Sequence, residues 1–322
     1  MDYSEISQLI TDDMQSVNKL ILKRLHSEVV LVNQLGKYII NSGGKRIRPM
    51  LALLVAKSCG YQGHKHIDIA AIIEFIHTAT LLHDDVVDES SLRRGKDTAN
   101  QVWGNQAAVL VGDFLYSRSF EMMVDVGSMR VMEILSGTTN TIAEGEVLQL
   151  LNCNDADTSE QRYMDVIHSK TAKLFEAASQ LGAILAECSL EEEQRIAKYG
   201  MHLGTAFQLI DDVMDYKASA EEMGKNVGDD LAEGKPTLPL IIALQRSEGN
   251  AKKQIREAIE EGGLQNIDSI LETIHTTNAL EYTIDIAKKE AALAVSQLDH
   301  LADSQYKTAL EALTWLCIER TN

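Results

Sequence analysis

The stretch His77-Thr78-Ala79-Thr80-Leu81-Leu82-His83-Asp84-Asp85-Val86-Val87-Asp88 ends in an Asp-Asp-x-x-Asp signature. It lies in an apolar run that has no Gly or Pro from Ile67 to Ser91, and such a run reads as a helix. On a helix, Asp84 and Asp88 stand one turn apart on the same face, and His77 lies about two turns before Asp84. Carboxylates in register at the end of an apolar helix are costly unless water or a cation meets them. Taken alone, the pattern is as readily a solvated acidic helix end.

The pattern recurs in Gly204-Thr-Ala-Phe-Gln-Leu-Ile-Asp-Asp-Val-Met-Asp215. Shifting Asp84 onto Asp211 also aligns Thr78 with Thr205, Ala79 with Ala206, Leu82 with Leu209, Asp85 with Asp212, Val86 with Val213 and Asp88 with Asp215. Two apolar helices with the same acidic end suggest two carboxylate walls that face one another. Hard oxygen ligands of this kind suit Mg2+, which keeps waters and is shared with substrate phosphates.

Working outward, only three prolines (Pro49, Pro236, Pro239) interrupt 322 residues. A chain so poor in helix breakers and rich in Ala, Leu, Ile and Glu reads as nearly all helix. Its length admits one large domain or two ordinary ones. With 30 basic and 48 acidic side chains the net charge is −18, which argues against a nucleic-acid partner. An anionic substrate must then be met by metal ions or local basic clusters. The four cysteines (Cys59, Cys153, Cys188, Cys317) form no Cys-x-x-Cys pair, so neither a zinc site nor a disulfide framework is expected. No signal peptide and no membrane span are read, and a cytoplasmic protein is expected.

Residues 4–40 read as two amphipathic helices. Ser42-Gly-Gly-Lys45-Arg46-Ile-Arg48-Pro49 leads into a further helix, with Lys45 and Arg48 able to share its first turn. Basic side chains there oppose the helix dipole, which favours an anion beside them. Arg93 and Arg94 follow the first acidic motif and suit either charge neutralisation or a phosphate clamp. Helices are expected at 105–126, 129–152, 159–187 and 191–217. The second carries Glu146 and Gln149 one turn apart, and the third carries Lys170 and Thr171 ahead of apolar sequence. Gly224 to Pro239, with Lys225 and Lys235, reads as a charged lid or site-edge loop. Amphipathic helices without chemical signature follow. No nucleophile triad, Walker loop or dinucleotide fingerprint occurs. The carboxylates and basic groups together describe a site for polyphosphate anions, and a metal-bound diphosphate is a good leaving group.

Gly43-Gly-Lys-Arg-Ile-Arg-Pro49, Leu82-His-Asp-Asp-Val-Val-Asp88, Arg93-Arg-Gly95, Lys170-Thr171, Gln208-Leu-Ile-Asp-Asp-Val-Met-Asp215 and Gly234-Lys-Pro236 occur in this order. This set resembles the trans-isoprenyl diphosphate synthase family, long-chain bacterial members above all. The resemblance implies one all-α domain over residues 1–322, a helical bundle around a deep central cavity, usually as a homodimer. It implies repeated condensation of isopentenyl diphosphate onto an allylic diphosphate such as farnesyl diphosphate, to an octaprenyl product for quinone side chains. By position, Asp84, Asp88 and Asp211 would hold Mg2+ (two or three ions) on the allylic diphosphate, supported by Asp85, Asp212 and Asp215. Arg93, Lys170, Lys235 and Lys225 would touch that diphosphate. Lys45, Arg48, His77 and Arg94 would hold isopentenyl diphosphate, and Thr171 and Gln208 would lie at the reacting centre. Asp97 departs from the family pattern, which commonly has Pro there.

Ala79 and Thr80, one turn before Asp84, are small, where Phe or Tyr would block a growing tail. Eight isoprene units span on the order of 35 Å, about the length of a 23-residue helix. Met122 or Met123 is a candidate floor. Without the family likeness, ordinary helix packing is the preferred account of Ala79 and Thr80. A class I terpene cyclase and a non-catalytic partner subunit are the alternatives; the second Asp-Asp-x-x-Asp argues against the first, and two intact motifs argue against the other.

Overall fold

The absence of helix breakers between Lys65 and Val87 lets one helix run 23 residues, and the other elements of its unit assemble along it. The computed structural model describes residues 1–40, 43–217 and 228–319. The helices before this long one are α1 (Tyr3–Leu9), α2 (Thr11–Arg24), α3 (Val30–Ile40) and α4 (Ile47–Ser58); the long one is α5 (Lys65–Val87). A two-stranded antiparallel ribbon follows, β1 (Leu92–Arg93) and β2 (Lys96–Asp97). Then come α6 (Ala99–Trp103), α7 (Asn105–Val126), α8 (Met129–Asn152), α9 (Glu160–Ile167), a π turn (His168–Ala172), α10 (Lys173–Leu185) and α11 (Leu190–Lys217). The remainder is α12 (Asp229–Ala232), α13 (Leu238–Arg246), α14 (Gly249–Glu261), α15 (Ile267–Thr276), α16 (Ala279–Ser296) and α17 (Gln305–Ile318). Among the described residues the chain is all-α apart from the ribbon, as expected. Among the described residues no helix is long and apolar enough to cross a membrane.

The described residues group into two compact units. One comprises Met1–Thr139, Leu174–Gly200 and Gln297–Leu313; the other comprises Asn140–Lys173, Met201–Ser296 and Thr314–Asn322. In the first, α5 packs along α7 and against α4 and α2. Its buried face carries Ile69, Ile72, Ile73, Phe75, Ile76, Ala79 and Leu82, too wide an apolar stripe for a surface helix. In the second, α13 is buried on nearly every side by α14, α15, α16 and α9. Thr237 stands at its N-cap and Pro239 in its first turn, where the missing N–H costs nothing.

Boundaries differ from expectation in four places, each for a local reason. Residues 4–40 form three helices, not two. Asn33 ties the break before α3 by accepting from the Ser27 N–H at 3.1 Å and donating to its carbonyl at 2.6 Å. The segment expected as one helix over 159–187 contains the π turn. Arg93 and Arg94 lie at the ribbon, whose turn places Arg94 (φ 54) and Gly95 (φ 72) in left-handed conformations, the primed-turn signature of a tight hairpin. Within the loop expected from Gly224 to Pro239, Asp229–Ala232 makes a helical turn.

Candidate active site

At the end of α5 the first acidic motif divides by burial. Asp84 and Asp88 are half-buried, whereas Asp85 is buried, 0% exposed. The helical bond from the Asp88 N–H to the Asp84 carbonyl, 2.8 Å, keeps those two residues in register although the last helical residue is Val87. Arg93 donates to Asp85 Oδ1 from Nε at 2.8 Å, with Nη2 2.7 Å from the same oxygen. Burial raises the Asp85 pKa, and Arg93 opposes that rise. The Asp85 carbonyl accepts from Asn100 Nδ2 at 3.1 Å and from the Ser90 N–H at 3.0 Å, and Thr98 donates its hydroxyl to the Ser90 carbonyl at 2.7 Å. The ribbon and the start of α6 are thereby stitched onto the motif. Asp97 contributes through its backbone: its carbonyl accepts from the Tyr38 hydroxyl at 2.7 Å.

In the same unit a basic group gathers near His77. Arg48 Nη1 lies 3.3 Å from His77 Nε2, and its guanidinium sits 4.4 Å from the centre of the Phe175 ring. A guanidinium only donates, so His77 Nε2 accepts and the imidazole is neutral. Burial first, then Arg48, Arg93 and Arg94, hold the His77 pKa well below 6.5. Arg94 is tied to the Gly43 carbonyl. Lys45 is exposed, and its carbonyl accepts from the Tyr3 hydroxyl at 2.5 Å. Arg46 is anchored to Asn18 at 2.8 Å, which makes it a structural partner of the cluster. Sequence reading missed Glu74, a half-buried acid one turn before His77 and 4.0 Å from Arg46. Burial raises its pKa, and Arg46, Arg48 and Arg94 pull it back down.

In the other unit the first aspartate is again more open than the second, but the last is closed. Asp211 is half-buried, and Asp212 and Asp215 are buried. Asp212 accepts from the Tyr163 hydroxyl at 2.5 Å and from Gln208 Nε2 at 2.7 Å. Thr171 in turn donates to Gln208 Oε1 at 2.9 Å, which fixes the orientation of the amide. Burial, reinforced by Asp230, pushes the Asp212 pKa well above the carboxylate range. Asp215 Oδ2 accepts from the Asp230 N–H at 3.3 Å. Lys235 pairs with Glu233 at 2.5 Å, and its N–H reaches the Asp230 carbonyl at 2.8 Å. Lys170 meets Glu146 at 2.6 Å and Gln149 at 2.7 Å. Gln149, Tyr163, Lys170, Gln208, Asp212 and Lys235 line one pocket of about 150 Å³. Tyr163 was not foreseen, since its only signal is a partner 49 residues away. Lys225 lies outside the described residues.

Ala79 is fully buried, and Thr80 is half-buried with its hydroxyl donating to the His77 carbonyl at 2.8 Å. Met122 and Met123 are buried on α7. All four cysteines are thiols outside any disulfide.

Among the described residues no three His, Cys, Asp or Glu side chains are gathered to hold a metal on their own. Mg2+ is typically bound through one or two carboxylates, with waters and substrate phosphates completing the shell. The half-buried Asp84 and Asp88 of one unit, and separately the half-buried Asp211 of the other, offer hard oxygens of the kind such an ion takes.

The polyprenyl synthetase family profile matches residues 29–276. The chain is 54% identical over 321 residues to the octaprenyl diphosphate synthase of Escherichia coli (strain K12), covering 99% of each. A crystal structure of a polyprenyl synthase from Caulobacter crescentus CB15, complexed with calcium and isoprenyl diphosphate, superposes with a TM-score of 0.96. It is 41% identical and covers 100% of this chain and 98% of that one. A decaprenyl diphosphate synthase from Rhodobacter capsulatus superposes with a TM-score of 0.93 at 42% identity, each chain covered in full. The all-α architecture, the order of the motifs and likeness along the whole chain lead to one conclusion: this protein belongs to the polyprenyl synthetase family.

Proposed function

We propose that this chain is a long-chain trans-polyprenyl diphosphate synthase that adds isopentenyl diphosphate repeatedly to an allylic diphosphate, farnesyl diphosphate, ending at octaprenyl diphosphate for quinone side chains. The observation that carries this is the division of labour common to both acidic motifs. In each, the middle aspartate is buried and bonded within its unit, Asp85 to Arg93 and Asp212 to Tyr163 and Gln208. The first aspartate of each stays half-buried.

Asp84, Asp88 and Asp211 would hold two or three Mg2+ ions, which when bound draw charge from the departing diphosphate. Asp85, Asp212 and Asp215 support those carboxylates. Arg93, Lys170, Lys235 and Lys225 bind the allylic diphosphate. Lys45, Arg48, Arg94 and neutral His77 bind isopentenyl diphosphate, with His77 able to accept one hydrogen bond and donate another. Thr171 and Gln208 flank the reacting carbons, and Ala79 and Thr80 leave room for the tail, with Met123 toward its far end. The chain acts as one domain and as a homodimer, in the cytoplasm.

Purified full-length protein incubated with farnesyl diphosphate, radiolabelled isopentenyl diphosphate and Mg2+ tests the assignment by the size of its products. An octaprenyl chain is expected. No elongation without a second protein would overturn it in favour of a partner subunit.

A further inference from the structure

Three residues of α8 converge on the π turn. The turn is defined by the Lys173 N–H, which reaches back five residues to the His168 carbonyl, and such turns occur often at functional sites. A Cβ on Gly145 would stand 2.8 Å from both the Lys170 backbone nitrogen and Ser169 Cβ, closer than packed atoms come. Glycine at 145 therefore lets α8 lie directly against the turn. One residue later, Glu146 Oε2 is 2.6 Å from Lys170 Nζ. One turn later, Gln149 Oε1 accepts from the same nitrogen at 2.7 Å. The lysine side chain is 18% exposed and the glutamate 31%.

A lysine stem carries about 2 kcal/mol of rotamer entropy, lost when its ammonium is held at one point. Two bonds from its ammonium to neighbouring side chains of one helix, Glu146 and Gln149, restrict where that ammonium can sit. We propose that Glu146 is a positioning residue, which, with Gln149 and the close approach permitted by Gly145, holds the Lys170 ammonium in place before substrate arrives. This rests on the reading of Lys170 as a ligand of the allylic diphosphate. Glu146 does not touch the reacting atoms; it acts through Lys170.

The test compares Glu146→Ala, Glu146→Gln, Lys170→Ala and the Glu146→Ala/Lys170→Ala double variant in the full chain. Losing a charged hydrogen bond predicts a rise of about tenfold in the allylic KM of Glu146→Ala, with the isopentenyl diphosphate KM within about twofold. Glu146→Gln recovers most of the loss, because its amide oxygen still accepts. On the Lys170→Ala background, Glu146→Ala adds nothing further. Independently of substrate, mass spectrometry reads the acetylation rate of Lys170, which rises several-fold in Glu146→Ala as the amine is released. Unchanged acetylation, or additive losses in the double variant, overturns the positioning role and leaves the site reading intact. A normal allylic KM in Lys170→Ala overturns the site reading itself, and the positioning role with it.

Discussion

Arg93 brings two nitrogens onto a single oxygen of Asp85, at 2.8 and 2.7 Å, and the carboxylate they meet is almost wholly enclosed. Removing the guanidinium leaves a buried charge without its partner. Arg93→Ala is expected to cost about 3 kcal/mol of stability, as broken buried ion pairs do. Adding Asp85→Asn should restore part of it, because the two sites share one interaction. Urea unfolding of the single and double variants measures both.

Asp84 is half-buried at the end of α5, so truncating it leaves no comparable hole. Asp84→Ala should fold with near-normal stability and lose roughly a thousandfold in turnover, the scale of a lost metal contact worth several kcal/mol. Initial rates across Mg2+ concentrations decide the matter. Near-normal turnover at low Mg2+ would remove Asp84 from the metal ligands.

Ala79 is fully buried, so a larger side chain there must displace its neighbours. Ala79→Tyr should cost about 1–3 kcal/mol through overpacking and shorten the radiolabelled product while condensation continues. Product of unchanged length from the folded variant would show that the tail does not pass this position.

The His77 pKa is depressed in the folded chain, while the unfolded chain keeps the ordinary 6.5. Below 6.5 the unfolded state therefore binds more protons, and stability falls as pH drops toward the folded value. Above 6.5 both states are neutral and this contribution is complete. Unfolding free energies between pH 5 and 8 should fall more steeply toward acid in the wild type than in His77→Gln. Parallel curves would mean that His77 carries no such linkage.

The long helices were legible because their signal is local. α7, α8 and α11 begin and end within a residue of the spans read from apolar periodicity. The acidic motifs and their basic neighbours were legible because charge in an apolar helix demands a reason. What escaped depends on partners distant in the chain: Tyr163 on Asp212, Glu74 among the arginines, and the pairing of Lys170 with Glu146 and Gln149, which the sequence shows one turn apart but not beside it. The ribbon was signalled by Arg94-Gly95, yet its strands are too short to show alternation. The π turn carries no compositional mark, since His168-Ser-Lys-Thr-Ala172 is ordinary helical sequence.

The π turn inserts one extra residue into an otherwise continuous helical path, which offsets everything after it by about 100° around the axis. The phasing of α9 and the phasing of α10 are thereby decoupled, and each can satisfy its own neighbours. Deleting a single residue between His168 and Ala172 would bring the two back into step. Such a deletion would rotate an entire helix face at once, a change no point substitution reproduces. In this stretch, residue number is as strongly constrained as residue identity.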